Sequence, residues 1–286
     1  MAERTDPFEA LRRPAPPIAP RHEFAAQLRR RLEQELGMTA TTITTDGALA
    51  MVHLRVPDAD RAMAFFGHLL DWDGERVEFE GRVNYYTLNT EVTVRLIADP
   101  DAPAVLPNYR ATDISAAIAR IEAAGGRIDA SEVTADGGGW ARGRDDQGLP
   151  LLVYRPRPHG DGGAEQRRAP AGDVGLVFIR ENAERAGRFY RSVLGWPFER
   201  VHPDSHYFDT VNHVGVFDEG AAFGRPVPPS ATLYIQVPAL APYLARVDEL
   251  GGRAGSAAQD MGPYFTALCV DDQGTEFGLM SDALNS

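Results

Sequence analysis

The sequence predicts an α+β protein built from four β-α-β-β-β units grouped as two homologous halves. Three internal echoes carry that reading. AFFGHLLDWDGERV (Ala64 to Val77) returns as RFYRSVLGWPFERV (Arg188 to Val201), with Phe65, Leu70, Trp72 and Val77 matched by Phe189, Leu194, Trp196 and Val201. ARIEAAGGR (Ala119 to Arg127) returns as ARVDELGGR (Ala245 to Arg253), and Asp145-Asp146-Gln147-Gly148 returns as Asp271-Asp272-Gln273-Gly274. Within the first half, HLRVPDADRAMAFF (His53 to Phe66) parallels NYRATDISAAIARI (Asn108 to Ile121), each a strand, a turn and a helix, so the repeating unit is smaller than a half.

Each element has its local reason. Residues His22 to Leu36 place Phe24, Leu28, Leu32 and Leu36 at intervals of four before Gly37, which predicts an amphipathic helix with a glycine stop. That helix offers one apolar face to a domain or to a second copy of the chain. After the first repeated helix, VNYYTL (Val83 to Leu88) and VTVRLI (Val92 to Ile97) read as strands; after the second, GWARGRD and PLLVYRP do. RPRPHGDGGAEQRRAPAG (Arg155 to Gly172) is rich in Pro, Gly and charge and reads as a linker. The organisation is therefore an extension over 1–49, a domain over 50–156, a linker over 157–172 and a second domain over 173–286.

Composition bounds the function. The chain has 286 residues, 43% hydrophobic and 24% charged, enough for two ordinary domains, and no apolar run long enough to span a bilayer. A membrane partner is not expected. A net charge of −12 argues against a nucleic-acid partner, since phosphate contacts need a local excess of Lys and Arg. Cys269 is the only cysteine, which excludes an internal disulfide and fits a reducing cytoplasm, and the charged, proline-rich start lacks a signal-peptide core.

The strand-Asp-helix openings, the helix ends "FFGHLLDW" and "FYRSVLGW", the "GG" before a middle strand and the "DDQG" turn before the last strand resemble the vicinal-oxygen-chelate superfamily. The likeness covers Ala50 to Asp282, with the second half similar to two-domain glyoxalase-like proteins. It implies two domains, each a curved mixed sheet enclosing a cup. Relatives include glyoxalases, extradiol dioxygenases and bleomycin-resistance proteins, the last binding without catalysis. The resemblance also implies three metal-ligand positions per half: a His, Gln or Glu on the first strand, a His opening the second unit and a Glu after the last turn. Counted onto this chain they fall on Met51, Leu106 and Leu152, and on Gly175, Thr232 and Gly278. None suits a hard or borderline cation, so no metal and no other cofactor are expected.

Strand alternation aims His53, Arg55, Asn108 and Arg110 into the first cup, and Val177, Ile179, Tyr234, Gln236 and Glu276 into the second. Arg55 and Arg110 are repeat-equivalent, and their convergence is expected to demand an anion between them. That anion is either a ligand oxygen or a structural acid such as Glu78, Glu80 or Glu91. His53 is the candidate general acid or base, with a hydrogen-bonded wall residue as its plainer role. Arg55, Asn108, Arg110, Tyr234 and Gln236 are the candidate ligand contacts, and the expected partner is a small anionic or oxygen-rich organic molecule. A metal-dependent lyase or dioxygenase with unusual ligands is the alternative, and an interaction scaffold is a third. Cys269, in the apolar run TALCV, is read as a buried small hydrophobe.

Overall fold

A computed structural model describes residues 46–79, 81–99, 105–155, 171–201, 205–210, 213–261 and 264–285. The expected helix over 22–36 and most of the linker lie outside them. In the first half the chain runs β1 (Leu49–Val56), α1 (Ala59–Leu70), β2 (Gly74–Phe79), β3 (Arg82–Thr87), β4 (Thr93–Ala98), β5 (Val105–Arg110), α2 (Ile114–Ala123), β6 (Arg127–Val133), β7 (Gly139–Arg144) and β8 (Pro150–Arg155). The second half runs β9 (Val174–Arg180), α3 (Ala183–Leu194), β10 (Glu199–Arg200), β11 (Tyr207–Asp209), β12 (Val214–Phe217), a short α4 (Glu219–Phe223), β13 (Ser230–Gln236), α5 (Leu240–Glu249), β14 (Arg253–Ala254), β15 (Gln259–Asp260), β16 (Phe265–Val270) and β17 (Glu276–Ser281). Two mixed sheets result, ordered β2-β3-β4-β1-β5-β8-β7-β6 and β10-β11-β12-β9-β13-β17-β16-β14.

The helices start where side chains satisfy free amides. Asp58, Asp113 and Asn182 accept from the third residue on, at 3.0, 2.9 and 3.0 Å. At α5 the preceding residue is Ala239, which cannot do so. Backbone carbonyls of Ala283 and Leu284 take the first two amides instead, at 2.9 and 2.8 Å. At the other end of α1 and α3 the chain turns through a left-handed residue, Asp71 (φ 57°) and Gly195 (φ 71°), which ends the helix just before the repeated tryptophan.

One face of each sheet is covered by helices. Val52, Leu54, Val56, Val94, Leu96, Leu151 and Val153 are buried there in the first half, and Val177, Ile179, Leu233, Phe277 and Leu279 in the second. The halves then join through their helix sides. Phe65 and Phe66 of α1 pack edge-on against Phe277 at 6.1 and 5.2 Å, while Tyr109 of β5 meets Trp196 at 5.0 Å. The indoles of Trp72 and Trp196 donate to the carbonyls of Gly172 and Gly47, both at 2.8 Å. Each "DDQG" turn docks on the N-terminus of the other half's first helix. Arg61 pairs with Asp272 at 2.7 Å and Arg185 with Asp146 at 3.0 Å, while Gln273 and Gln147 donate to the carbonyls of Asp58 and Asn182 at 3.0 Å each.

Both joints carry these polar contacts, and one of them buries an acid as well. Where β1 buries Val56, the chain after β9 buries Glu181, only 4% exposed. Asp145, which accepts from the Tyr190 hydroxyl at 3.0 Å, stands close by. Burial, then the charge of Asp145, pushes the Glu181 carboxyl up to about 10, so it stays protonated at neutral pH. An unfolded glutamate releases that proton near 4.5. Native stability therefore carries the Glu181 contribution in full below 4.5 and loses it as pH rises toward 10. Glu181→Gln is expected to raise the melting temperature, with a gap from wild type that widens between pH 5 and 9. A constant gap over that range, measured by thermal melts, contradicts this assignment.

Candidate functional site

The exposed faces of both sheets are concave, and the first has an unsatisfied centre. Its middle strands, β1 and β5, are antiparallel, pairing Met51 with Asn108 and His53 with Leu106. β4 runs parallel to β1 and sets Arg95 beside His53; β8 runs parallel to β5 and sets Leu152 beside Asn108. His53, Arg55, Asn108 and Arg110 all share this face, as strand alternation predicts.

Arg55 and Arg110 do not converge. In an antiparallel pair, equal steps along the two strands lead in opposite directions. The Arg110 backbone bonds to Ala48, seven residues before Arg55, which separates the two arginines by roughly 20 Å of strand. Arg55 is instead 3.7 Å from Asp99, which Arg82 also approaches at 3.3 Å. Of the acids considered, Glu78 pairs with Arg76, and Glu80 lies outside the described residues. Arg110 has no ion pair with a described residue, and its row continues through Tyr154 to Trp140.

The cation at the centre is Arg95. Its guanidinium lies over the Tyr86 ring at 5.0 Å and near Phe79 at 6.0 Å, and one terminal nitrogen donates to Asn84 at 3.2 Å. No carboxylate among the described residues pairs with it, and its Nε has no hydrogen-bond partner. Asn108 is 1% exposed, with neither its amide nitrogen nor its oxygen bonded. His53 is also buried. Burial first, then the charges of Arg95 and Arg55, hold its imidazole down to about 3, so it is neutral over the whole working range.

The fold is shared with structures of known proteins. The chain matches the Mn(II)-bound glyoxalase from Novosphingobium aromaticivorans at 18% identity and a TM-score of 0.56, covering 84% of this chain and 83% of that one. It matches the 2,3-dioxygenase LapB from Pseudomonas sp. KL28 at 12% and 0.59, covering 83% and 93%. A 4-hydroxymandelate synthase variant from Streptomyces coelicolor matches at 12% and 0.52, covering 83% and 93%. The chain carries the vicinal-oxygen-chelate fold. No protein-family model matches the sequence, and no curated protein resembles it at the sequence level.

The vicinal-oxygen-chelate fold implies a cation in the cup, and the residues present do not fit one. Met51, Leu106 and Leu152 lie around His53 and Asn108 on the same face and offer a thioether and two isobutyl groups. No cluster of three His, Cys, Asp or Glu side chains able to hold a metal exists among the described residues. By the internal twofold, the partner of Leu152 is Arg95, since each lies beside the equivalent residue Asn108 or His53. A guanidinium therefore stands at the position that mirrors Leu152.

The second cup is filled by its own rings. Val177 and Ile179, expected to line it, are fully buried on the helix side, and Leu176, Phe178 and Arg180 face the cup. The reason is one missing residue. Arg55 stands three positions before the cap Asp58, whereas Arg180 stands two before Asn182, and a shift of one reverses every side chain. Phe178 stacks on Tyr207 and Phe217 at 5.9 and 5.8 Å and meets Tyr234 edge-on at 5.9 Å. A β-carbon at Gly215 or Gly278 would overlap Tyr207 or Tyr234, so these glycines let the rings lie flat on the sheet. Tyr207 also donates to Tyr264 from the opposite edge. Thr232 is held between Arg180 at 3.1 Å and Glu276 at 3.2 Å, and Gln236 is exposed at the end of β13. Cys269 is fully buried in apolar surroundings, which push its thiol up to about 12.

Two further clefts, of about 460 and 480 Å³, lie outside both cups. One is lined by Asp60, His68 and Tyr85 and the other by Glu181, Asp218 and Arg225.

Sequence reasoning named neither Arg95 nor Tyr86 as a site residue. VTVRLI held the signal, because Val94 and Leu96 are core residues and the arginine between them must face the other way. Since His53 binds its proton only near 3 when native but near 6.5 when unfolded, its contribution to stability is complete above 6.5 and is lost as pH falls toward 3. His53→Gln is expected to flatten the acid limb of the stability profile between pH 6 and 4. An imidazole resonance of His53 titrating near 6 in NMR spectra of the native protein would contradict it.

Proposed function

We propose that the first cup binds a small anionic or oxygen-rich organic molecule without a protein-held metal. The observation that carries this reading is the unsatisfied centre: among the described residues, an Arg95 with no carboxylate, a buried Asn108 amide with no partner and a neutral, buried His53. A buried polar group without a partner costs roughly 1–3 kcal/mol, and a ligand that offers Asn108 both an acceptor and a donor removes that penalty. The guanidinium of Arg95 supplies the positive charge that a metal provides in the Mn(II)-bound glyoxalase. Arg110 and Arg55 mark the two mouths of the cup, and the ring-filled second cup serves as support, with Tyr234 part of its packing. If turnover occurs, His53 is the group placed to exchange a proton, because an anion beside it raises its affinity for one.

The reading extends to a domain pair over 50–156 and 173–286 joined by 157–172, in a cytoplasmic protein. The test is ligand retained through purification, identified by native mass spectrometry, and its affinity for variants. Arg95→Met is expected to weaken binding by about one to two decades, the worth of a charge-assisted contact, while Gln236→Met has no effect. A folded Arg95→Met with full affinity, or near-stoichiometric Zn, Fe, Mn or Ni surviving dialysis, overturns it.

A further inference from the structure

The two joints between the halves share one frame and are filled differently. Around the second "DDQG" turn the helix side holds Val56, Phe66, Ile235 and Asp271, three hydrocarbons and one acid. Around the first turn the matching positions hold Glu181, Tyr190, Tyr109 and Asp145, each at most 4% exposed. Tyr109 and Ile235 correspond because each lies beside its half's last strand, at Val153 and Leu279, and at the register shift against its half's first strand. The second joint closes without a second acid or any phenol, so union of the halves does not require them. Burying such groups without partners costs stability.

The four polar groups converge. The Gln147 amide donates to Asp145 Oδ1 at 2.8 Å and the Gln147 side chain accepts from the Asn182 amide at 3.0 Å, which brings Glu181 against Asp145. The Tyr190 hydroxyl donates to Asp145 Oδ2 at 3.0 Å. Neither Glu181 oxygen nor the Tyr109 hydroxyl has a hydrogen-bond partner among the described residues. Burial, then the charges of Glu181 and Asp145, hold that hydroxyl in its protonated form. Trp196 stacks on Tyr190 at 4.6 Å and meets Tyr109 edge-on at 5.0 Å, so one indole fixes both phenols. Asp146, the next acid, is occupied by Arg185 at 3.0 Å.

Two carboxyl groups in contact offer each other only acceptors, so what stands between them is positive. In cation-free protein it is the Glu181 proton, and a metal ion can take its place. The donors are all hard oxygens, and two carboxylates balance one divalent charge. Ca2+ accepts such oxygens in flexible geometry and completes its shell with water, whereas Mg2+ demands a near-ideal octahedron. We propose that this joint is a Ca2+ site, held by Glu181 and Asp145 with the hydroxyl oxygens of Tyr109 and Tyr190, and reached through the cleft that Gln147, Glu181 and Asn182 line. Binding releases the Glu181 proton to solvent, one for each ion.

The test uses the full chain dialysed against a chelator, with CaCl2, and KCl at matched ionic strength, as probes. Calorimetry is expected to give one Ca2+ per chain, with an affinity that rises about tenfold per pH unit between pH 6 and 8, because one proton leaves for each ion bound. Thermal melts at pH 8 shift upward by roughly 3 °C or more once Ca2+ is about ten times its Kd. Glu181→Gln keeps the shape of the pair but has no proton to give up. Both responses vanish in it, so its advantage over wild type in chelated protein shrinks when Ca2+ is added. Tyr109→Phe keeps the acid pair and weakens Ca2+ by about tenfold, the scale of a lost partner at a metal site. Ca2+ bound as tightly by a folded Glu181→Gln, a shift that KCl reproduces, or no binding by about 10 mM Ca2+ at pH 8 overturns the site.

Discussion

The antiparallel pairing of β1 with β5 is the constraint on which the first cup depends. It places Met51, His53, Leu106 and Asn108 in one patch, because only residues near the crossing of the two strands are brought together. It also sends the ends of the strands apart, so two arginines at equivalent repeat positions become the outer limits of the cup. The parallel partners β4 and β8 then decide what flanks the patch, and they supply one cation, Arg95, and one hydrocarbon, Leu152. The strand order is symmetric about the β1–β5 pair while the chemistry within it is one-sided.

Much of the fold could be read from the residues. The repeated helix ends and the "DDQG" turns are local signals, and each fulfils a local need: capping a helix, closing a turn, burying an indole. The side of the sheet on which His53, Asn108 and Tyr234 lie was equally legible, since alternation is a property of one strand. What could not be read was relative direction, because nothing in β1 or β5 alone says that they run against each other. The second cup failed for a smaller reason: one residue fewer between β9 and its helix reverses the face of Phe178 and Ile179. Arg95 was within reach of pattern reasoning but needed the neighbouring strand to give it meaning.

The two cups show how one frame takes opposite fates. In the second, glycines at two floor positions remove the side chains that would hold rings off the sheet, and the rings settle on each other. That cup gains packing and loses open surface. In the first, Arg95 and Asn108 stand on the floor instead, polar groups whose buried atoms the surrounding side chains leave short of partners.

The reciprocal turns that join the halves have an evolutionary consequence. Arg61 and Asp272, Arg185 and Asp146 and the two indoles, which hold the halves together, belong to the helix side of the sheets. None of these groups lies on the concave side. Substitutions there are released from the demands of assembly, so a lineage can exchange one binding chemistry for another, or silence a cup altogether, while the joint is inherited unchanged. Drift in a residue at the joint has no such freedom, since its counterpart lies in the other half and both must change together.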